Sequence, residues 1–275
     1  MILFFKHRFS KDGVSKYGFS KICLQFITLF ITLNPALAHA IVSMESVHLG
    51  KPRQGFSGNI DLSIDAEYGN TEKASASTGL KLEWSEDKIT DFVLANYEYA
   101  ENAGIKDKNA SFVHLRHIHQ VDEEIAWEAF TQFSHNEFTR LNLRALIGGG
   151  ARLTVGNVSA KHAIYLGLGG FYEREDLDVE TTAGVSATNN TLRGNAYLVL
   201  KYQFNPYVSM VSSTYYQPAL DEFSDFRAIE NGSLVSKLTD DLSLKLSLDI
   251  QHDSKPPPSV NQTDTSITVG FSLGF

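Results

Sequence analysis

Charged side chains at alternate positions are where chemistry could sit in this sequence. Asp61, Asp65 and Glu67 alternate along one stretch. Arg144 and Arg152 do so along another, and Arg193 and Lys201 along a third. In each stretch mostly apolar residues take the opposite face. A two-residue period puts the charges on one face and the apolar side chains on the other. If those charged faces line an enclosed lumen, acids stand against bases across it. Opposed charge across a pore sorts solutes by charge and dipole. These seven residues are the candidate lumen lining. The competing expectation is that side chains meet mid-lumen and pair, because a barrel of about twelve strands lies between filled and open sizes.

Other constellations are weaker. His114, His117 and His119 lie in "HLRHIH". On a strand His117 and His119 share a face and His114 takes the other, so three ligands cannot converge on one metal ion. The phase of that stretch is itself ambiguous, since Leu115 and Ile118 disagree. The run "EREDLDVE" (Glu173 to Glu180) carries clustered carboxylates, which suit a divalent cation. It lacks the glycine-turn spacing of a calcium loop and reads as a solvated face. Gly167, Gly169 and Gly170 suggest a nucleotide loop only until one asks for the helix that should follow, and none does. Gly167 and Gly169, with Gly148 and Gly150, read as inward positions, where glycine bends a strand or leaves room for an opposing side chain. A ligand niche is the sharper alternative. No cofactor and no metal site is expected. A rim hydrolase built from His135 with Asp221 or Glu222 is the alternative function, although nothing in the sequence fixes those residues together.

The elements that must position the charges are strands. "DLSLKLSLDIQH" alternates Leu242, Leu244, Leu246, Leu248 and Ile250 against Ser243, Lys245, Ser247, Asp249 and Gln251. Comparable segments fall near 56–69, 73–85, 88–100, 109–121, 125–137, 139–153, 162–175, 190–204, 207–219, 226–238, 241–252 and 263–275. They are about twice the usual 5–6 residues of a globular strand, a length that suits a tilted membrane crossing. Tight polar turns ("SEDK", "DEE", "FNPY", "TDD") alternate with longer connections ("AENAGIKDKN", "EREDLDVETTAGVSATNN", "HDSKPPPSVNQ"). That is the layout of an outer-membrane barrel. Aromatics gather near strand ends: Trp84, Trp127, Tyr202, Phe204, Tyr207 and Phe275 at the short-turn end, with Tyr68, Tyr97, Tyr99, Phe171, Tyr172, Tyr215, Tyr216 and Phe223 toward the loop end.

The fold expected is therefore all-β: an antiparallel, up-and-down transmembrane β-barrel of about twelve strands. Residues 1–40 read as a signal peptide, with a basic region, the apolar run Ile22–Leu33 and small residues at Ala36, Ala38 and Ala40. Residues 41–55 read as a short periplasmic segment and 56–275 as the barrel. The leader carries five of the 24 basic and one of the 32 acidic residues, which leaves 19 against 31 and a net charge of −12. So acidic a chain is a poor binder of nucleic acid. Cys23, the one cysteine, lies in the leader, so no disulfide framework is expected.

Three stretches carry a family resemblance. Leu143-Arg144 precede Gly148 to Gly150. Gly167 to Gly170 follow in the next strand, which ends in Arg174 to Asp176. Over roughly residues 56–275 the chain resembles the bacterial family of salt-induced outer-membrane proteins (YdiY-like), whose function is unknown. The end of the chain, with Phe271, Leu273 and Phe275 at alternate positions, resembles the C-terminal signature of bacterial outer-membrane barrels, which the insertion machinery reads. The resemblance implies a bacterial outer-membrane location, contact with outer-membrane lipid and lipopolysaccharide, and no catalytic residue. The function expected is a narrow channel or a structural, stress-response envelope protein with a polar lumen, not an enzyme. A soluble periplasmic β protein is the remaining alternative, and the oligomeric state is left open.

Overall fold

A computed structural model describes residues 54–67, 72–155, 161–180 and 186–275. The leader, most of the segment 41–55, and Tyr68 lie outside the described residues. Twelve strands follow in order: β1 (Gly55–Glu67), β2 (Lys73–Glu86), β3 (Ile89–Asn102), β4 (Ile105–Gln120), β5 (Ile125–Asn136), β6 (Leu141–Thr154), β7 (His162–Glu180), β8 (Ser186–Gln203), β9 (Val208–Pro218), β10 (Phe226–Lys237), β11 (Leu242–Asp253) and β12 (Thr263–Gly274). Each pairs antiparallel with its sequence neighbours, and β1 pairs with β12, so the sheet is a closed up-and-down barrel. Closure removes the free edges that would otherwise expose unpaired N–H and C=O groups.

Two connections that read as long loops are largely strand. Between β3 and β4 the turn is only Ala103 and Gly104, both at positive φ (50° and 73°). That is the backbone of a two-residue hairpin whose twist matches its strands. β7 and β8 extend to 19 and 18 residues, so most of "EREDLDVETTAGVSATNN" is ladder rather than loop. Between β5 and β6, a 3₁₀ turn (Glu137–Thr139) is capped by the Asn136 side chain, which accepts from the N–H groups of Phe138 and Thr139.

The register sorts every side chain to one of two faces. Outward positions are large and apolar: Ile147 is 66% exposed and Leu168 is 72% exposed. Trp84, Trp127, Tyr202, Phe204 and Phe275 ring the short-turn end of the outer wall, and Tyr97, Tyr99, Tyr172 and Tyr216 ring the loop end. Phe171 and Tyr215 do not belong to that outer ring. They sit one residue out of phase with Tyr172 and Tyr216, and both are buried inside the barrel. The phase of β4 is also settled. Leu115 faces out, while Ile118 faces in and packs on the interior cluster.

The seam between β1 and β12 is short. Asn59–Leu62 pair with Gly274–Phe271, and Gly58 and Phe275 exchange backbone hydrogen bonds of 2.9 and 3.0 Å. The Phe275 ring lies directly over Gly58, where an added Cβ would come within 2.7 Å of it. Beyond Leu62 the ladder stops, and the Ser63 hydroxyl donates to the Val269 carbonyl instead. Deleting Phe275 therefore removes two backbone hydrogen bonds from the least extended pairing, a loss of about 1–3 kcal/mol. The expected outcome is a lower temperature for the shift from compact to unfolded mobility on gels. Gly58→Val, which displaces the ring, should shift it in the same direction.

Candidate functional site

The barrel interior has three parts: an apolar and aromatic plug, an ion-pair cluster above it, and a polar vestibule at the loop end. The plug comes first because small residues make it possible. Phe92, Leu94, Tyr197, Val199, Val211 and Tyr215 form a buried cluster, and Phe130, Leu146 and Phe171 form a second. They project from β3, β5, β6, β7, β8 and β9 toward the axis. Opposite them stand the glycines of β6 and β7. A Cβ on Gly167 would lie 2.0 Å from the Tyr197 ring, and one on Gly148 would lie 2.8 Å from the Phe130 ring. Rings occupy the space at Gly148 and Gly167, and a Cβ on Gly150 or Gly169 would strike the backbone of the neighbouring strand, so these glycines leave no open niche.

A polar centre is embedded in the plug. Arg116 on β4 is buried, with ring centroids of Phe92, Phe130 and Tyr197 at 5.8, 5.4 and 5.7 Å from its guanidinium carbon. Its Nη1 donates to Glu128 Oε2 at 3.4 Å, and its Nε to His114 Nε2 at 3.2 Å. The Tyr197 hydroxyl donates to Glu128 Oε1 at 2.8 Å. A buried guanidinium between aromatic faces gains both a counter-charge and cation–π contact. Arg116, Glu128 and Tyr197 were not among the residues singled out from the sequence. The signal for Arg116 was masked by apolar residues on both faces of β4.

Above the plug, Glu173 and Glu175 project inward from β7. Both are buried, so this acidic run is not a solvated face. Arg193 Nε donates to Glu173 Oε1 at 2.6 Å, and Arg144 Nε donates to Glu175 Oε1 at 2.6 Å. Arg227, from β10 across the lumen, donates Nη1 to Glu173 at 2.7 Å and Nη2 to Glu175 at 2.9 Å. Asp225 takes a further bond from Arg193, and Asp253 one from Arg227. Three arginines thus meet four carboxylates.

The seven residues singled out for a charged lumen are placed as follows. Arg144 and Arg193 belong to this cluster and are neutralised by β7 between them, so they do not form a free basic wall. Arg152 lies inside, its guanidinium 4.0 Å from the Tyr165 ring centroid, with Lys201 on the same ring at 5.6 Å. Asp61 pairs with Lys245 of β11 at 2.5 Å. Asp65 is exposed, and the Glu67 side chain lies outside the described residues. Phe271, Leu273 and Phe275 all face outward along β12. His135 Nδ1 donates to the Asn142 carbonyl at 3.0 Å, while Glu222 binds Lys255. His135 and Glu222 of the rim-hydrolase alternative are therefore engaged elsewhere. Among the described residues no group of three or more His, Cys, Asp or Glu is placed to hold a metal ion.

The vestibule over the ion-pair cluster has a volume of about 560 Å³. Arg144, Glu173, Glu175, Arg193 and Arg227 lie in its lining, and Pro256, Pro257 and Gln262 of the β11–β12 connection stand at its mouth. A second cavity of about 360 Å³ shares Glu98 and Lys108 with it and lies against β1, β2 and β12. A third, of about 50 Å³, shares Asn96 with the vestibule and Ser63, Ser77 and Thr268 with the second. The three cavities thus share polar lining residues on the β1–β3 and β11–β12 side, beside the plug.

A family profile described as "Protein of unknown function, DUF481" matches residues 60–275. The chain belongs to this family. It is the family, of YdiY-like proteins, that the Gly-x-Gly strands and Arg174 to Asp176 resemble. No curated protein sequence matches the chain. Among solved structures the chain is similar to "NanC porin structure in rhombohedral crystal form" (12% identity, TM-score 0.47, covering 79% of this chain and 98% of that one). It is also similar to "KdgM porin in complex with disordered oligogalacturonate" (12%, 0.42, 80% and 99%). A third likeness is the translocator domain of the autotransporter NalP from Neisseria meningitidis (11%, 0.43, 82% and 90%). Likenesses this distant carry no argument about cargo.

Two outcomes follow from the site. Gly167→Ala is expected to expel the Tyr197 ring and cost about 1–3 kcal/mol by overpacking. The same change on a Tyr197→Ala background should cost far less. A double-mutant cycle in thermal unfolding measures that coupling. At the rim, the hydrogen bond from Lys255 holds the Glu222 carboxyl below its ordinary value. This tie between the β9–β10 and β11–β12 connections is present above the ordinary carboxylate range and is lost as pH falls through the lowered value. Hydrogen exchange of the two connections should rise only in acid, and Glu222→Gln should remove the pH dependence.

Proposed function

We propose that this chain is a bacterial outer-membrane barrel that passes small polar solutes slowly, by a path beside its plugged axis. The observation that carries this reading is this row of cavities, which in our reading joins into a polar track. The vestibule shares Asn96 with the small cavity lined by Asp61 and Lys245, and Glu98 and Lys108 with the cavity beside it, while the apolar and aromatic clusters fill the interior next to them. Polar side chains along a narrow path replace part of a solute's hydration, and pairing of Asp61 with Lys245 limits the net charge along it. The membrane location rests on the apolar outer wall, the two aromatic rings and a closed sheet with every ladder inside it. The wall then meets outer-membrane lipid and lipopolysaccharide. In this reading Phe271, Leu273 and Phe275 are the segment that the insertion machinery recognises.

Planar-bilayer conductance of the refolded barrel tests the channel. Small, steady, salt-dependent steps are expected. Ser77→Trp and Thr268→Trp fill the track and should abolish the steps while leaving heat-modifiable mobility intact. Asp61→Asn should shift ion preference. An inserted barrel that stays silent, or steps that survive both tryptophan variants, would leave a purely structural envelope protein as the reading.

A further inference from the structure

The seam closes the sheet over four residue pairs, from Asn59–Gly274 to Leu62–Phe271. Among the described residues the pairing goes no further. Ser63 to Glu67 keep their ladder with β2, and Thr263 to Gly270 keep theirs with β11. Between these two facing edges the Ser63 hydroxyl donates to the Val269 carbonyl. The edges lie in the apolar wall. Val269 and Ile267 share their rows with Leu246 and Leu248. Ile64 shares its row with Ala76 and, beyond it, Tyr99. Tyr99 belongs to the aromatic ring at the loop end, and such rings sit at the level of lipid head groups.

The cavity of about 360 Å³ lies at this interval, and its lining comes from both faces of the sheet. Ile64, Ile267 and Val269 are outward and exposed, whereas Glu98 and Lys108 are inward and buried. A cavity lined by both faces passes between strands, so this one opens sideways through the wall. Its polar end is shaped by a bulge. The β3–β4 register moves from Ala100–Lys108 to Glu101–Lys106, which leaves Asp107 as the extra residue, and a bulge re-aims its side chain. Lys108 pairs with Glu98. Asp107 lines the cavity, and its Oδ1 is buried without a hydrogen-bond donor from the protein. Asp65 and Lys73 complete the charged lining.

A buried acceptor left without a donor is costly, and so is a strand edge facing hydrocarbon. Hydrocarbon chains relieve neither. A wholly polar solute would relieve both but would stand against the apolar lip. A molecule polar at one end and apolar at the other matches the whole cavity, and the surrounding bilayer supplies such molecules. We propose that the β1–β12 interval is a lateral binding site for a membrane amphiphile with an ammonium head. The ammonium donates to Asp107, Lys73 offers a cation to the phosphate of such a head, and the acyl chain leaves over Ile64, Ile267 and Val269 into the bilayer. Such a site needs the membrane location proposed above, but not conduction.

The test uses the full chain with Cys23→Ser, folded in detergent. A palmitoyl lysophosphatidylethanolamine is the probe, and native mass spectrometry reads the bound lipid. One lipid on each barrel is expected. The matching lysophosphatidylcholine carries the same charges and chain but no ammonium N–H, and should bind several-fold less. Asp107→Leu should erase that preference. Ile64→Cys with Val269→Cys places cysteines where a continued Leu62–Phe271 register would set them opposite each other. The oxidised pair should lose the lipid, and reduction should restore it. Ser75→Trp, which fills the same cavity from β2, should lose it without a cross-link. Heat-modifiable mobility reports the folded barrel in every variant, so loss of the lipid is read apart from loss of the fold. An unliganded parent, equal binding of the two lipids, or lipid retained both by the oxidised pair and by Ser75→Trp would each overturn the proposal; in the last case the lipid is held on the outer wall only.

Discussion

Closure of the sheet is the constraint on which the rest depends. In a closed antiparallel ladder each strand has a partner on both sides, and a slip of one residue would turn every side chain to the opposite face. On β7 the phase that sends Leu166, Leu168 and Tyr172 outward also sends Gly167, Gly169, Phe171, Glu173 and Glu175 inward. The glycine gap, one plug ring and both central carboxylates are thus consequences of one register. The same holds on β8, where Arg193 and Tyr197 alternate with Leu192, Ala196 and Leu198. The plug and the ion cluster stand or fall together with the strand phases that carry them.

Packing then decides how full the lumen is. Glycine pairs across β6 and β7 free the space into which Phe130, Phe171 and Tyr197 project. Charges held above those rings are out of water, and burying them is tolerable only when each is matched and hydrogen-bonded. Glu173 receives Arg193 and Arg227, and Glu175 receives Arg144 and Arg227. Arg227 reaches across from β10 to β7, so the cluster ties opposite walls as well as neighbours. An interior cross-braced in this way has little room for a central pore, and the remaining polar space is displaced toward the β1–β12 seam.

Much of this was legible in the sequence, for a physical reason. Strands with one lipid-like face and one interior face alternate, and twelve such runs with alternating short and long connections leave few architectures open. What alternation does not encode is contact across the lumen. "EREDLDVE" reads as a solvated acidic run because the arginines that neutralise it lie on three other strands, one of them 54 residues away. Phe171-Tyr172 and Tyr215-Tyr216 are adjacent aromatic pairs, and only the register shows that one ring of each turns inward. Arg116 is hidden for a different reason: β4 carries apolar side chains on both faces because its inner face belongs to the plug.

β10 departs most from simple alternation, and its two faces explain why. Arg227, Asn231 and Ser233 project inward and are buried, while Glu230 and Gly232 face out beside Ser212. A strand polar on both faces meets neither plain lipid nor a plain apolar core. Asn231 is buried at the vestibule lining, and neither of its amide atoms has a protein partner there. Arg227 on the same strand holds the vestibule floor by its bonds to Glu173 and Glu175. Glu230 stands three positions after that arginine, on the outer wall. β10 is therefore the strand whose inward side chains hold the vestibule floor while its outward face carries the Glu230 hydrogen bonds to Ser212 and Thr214.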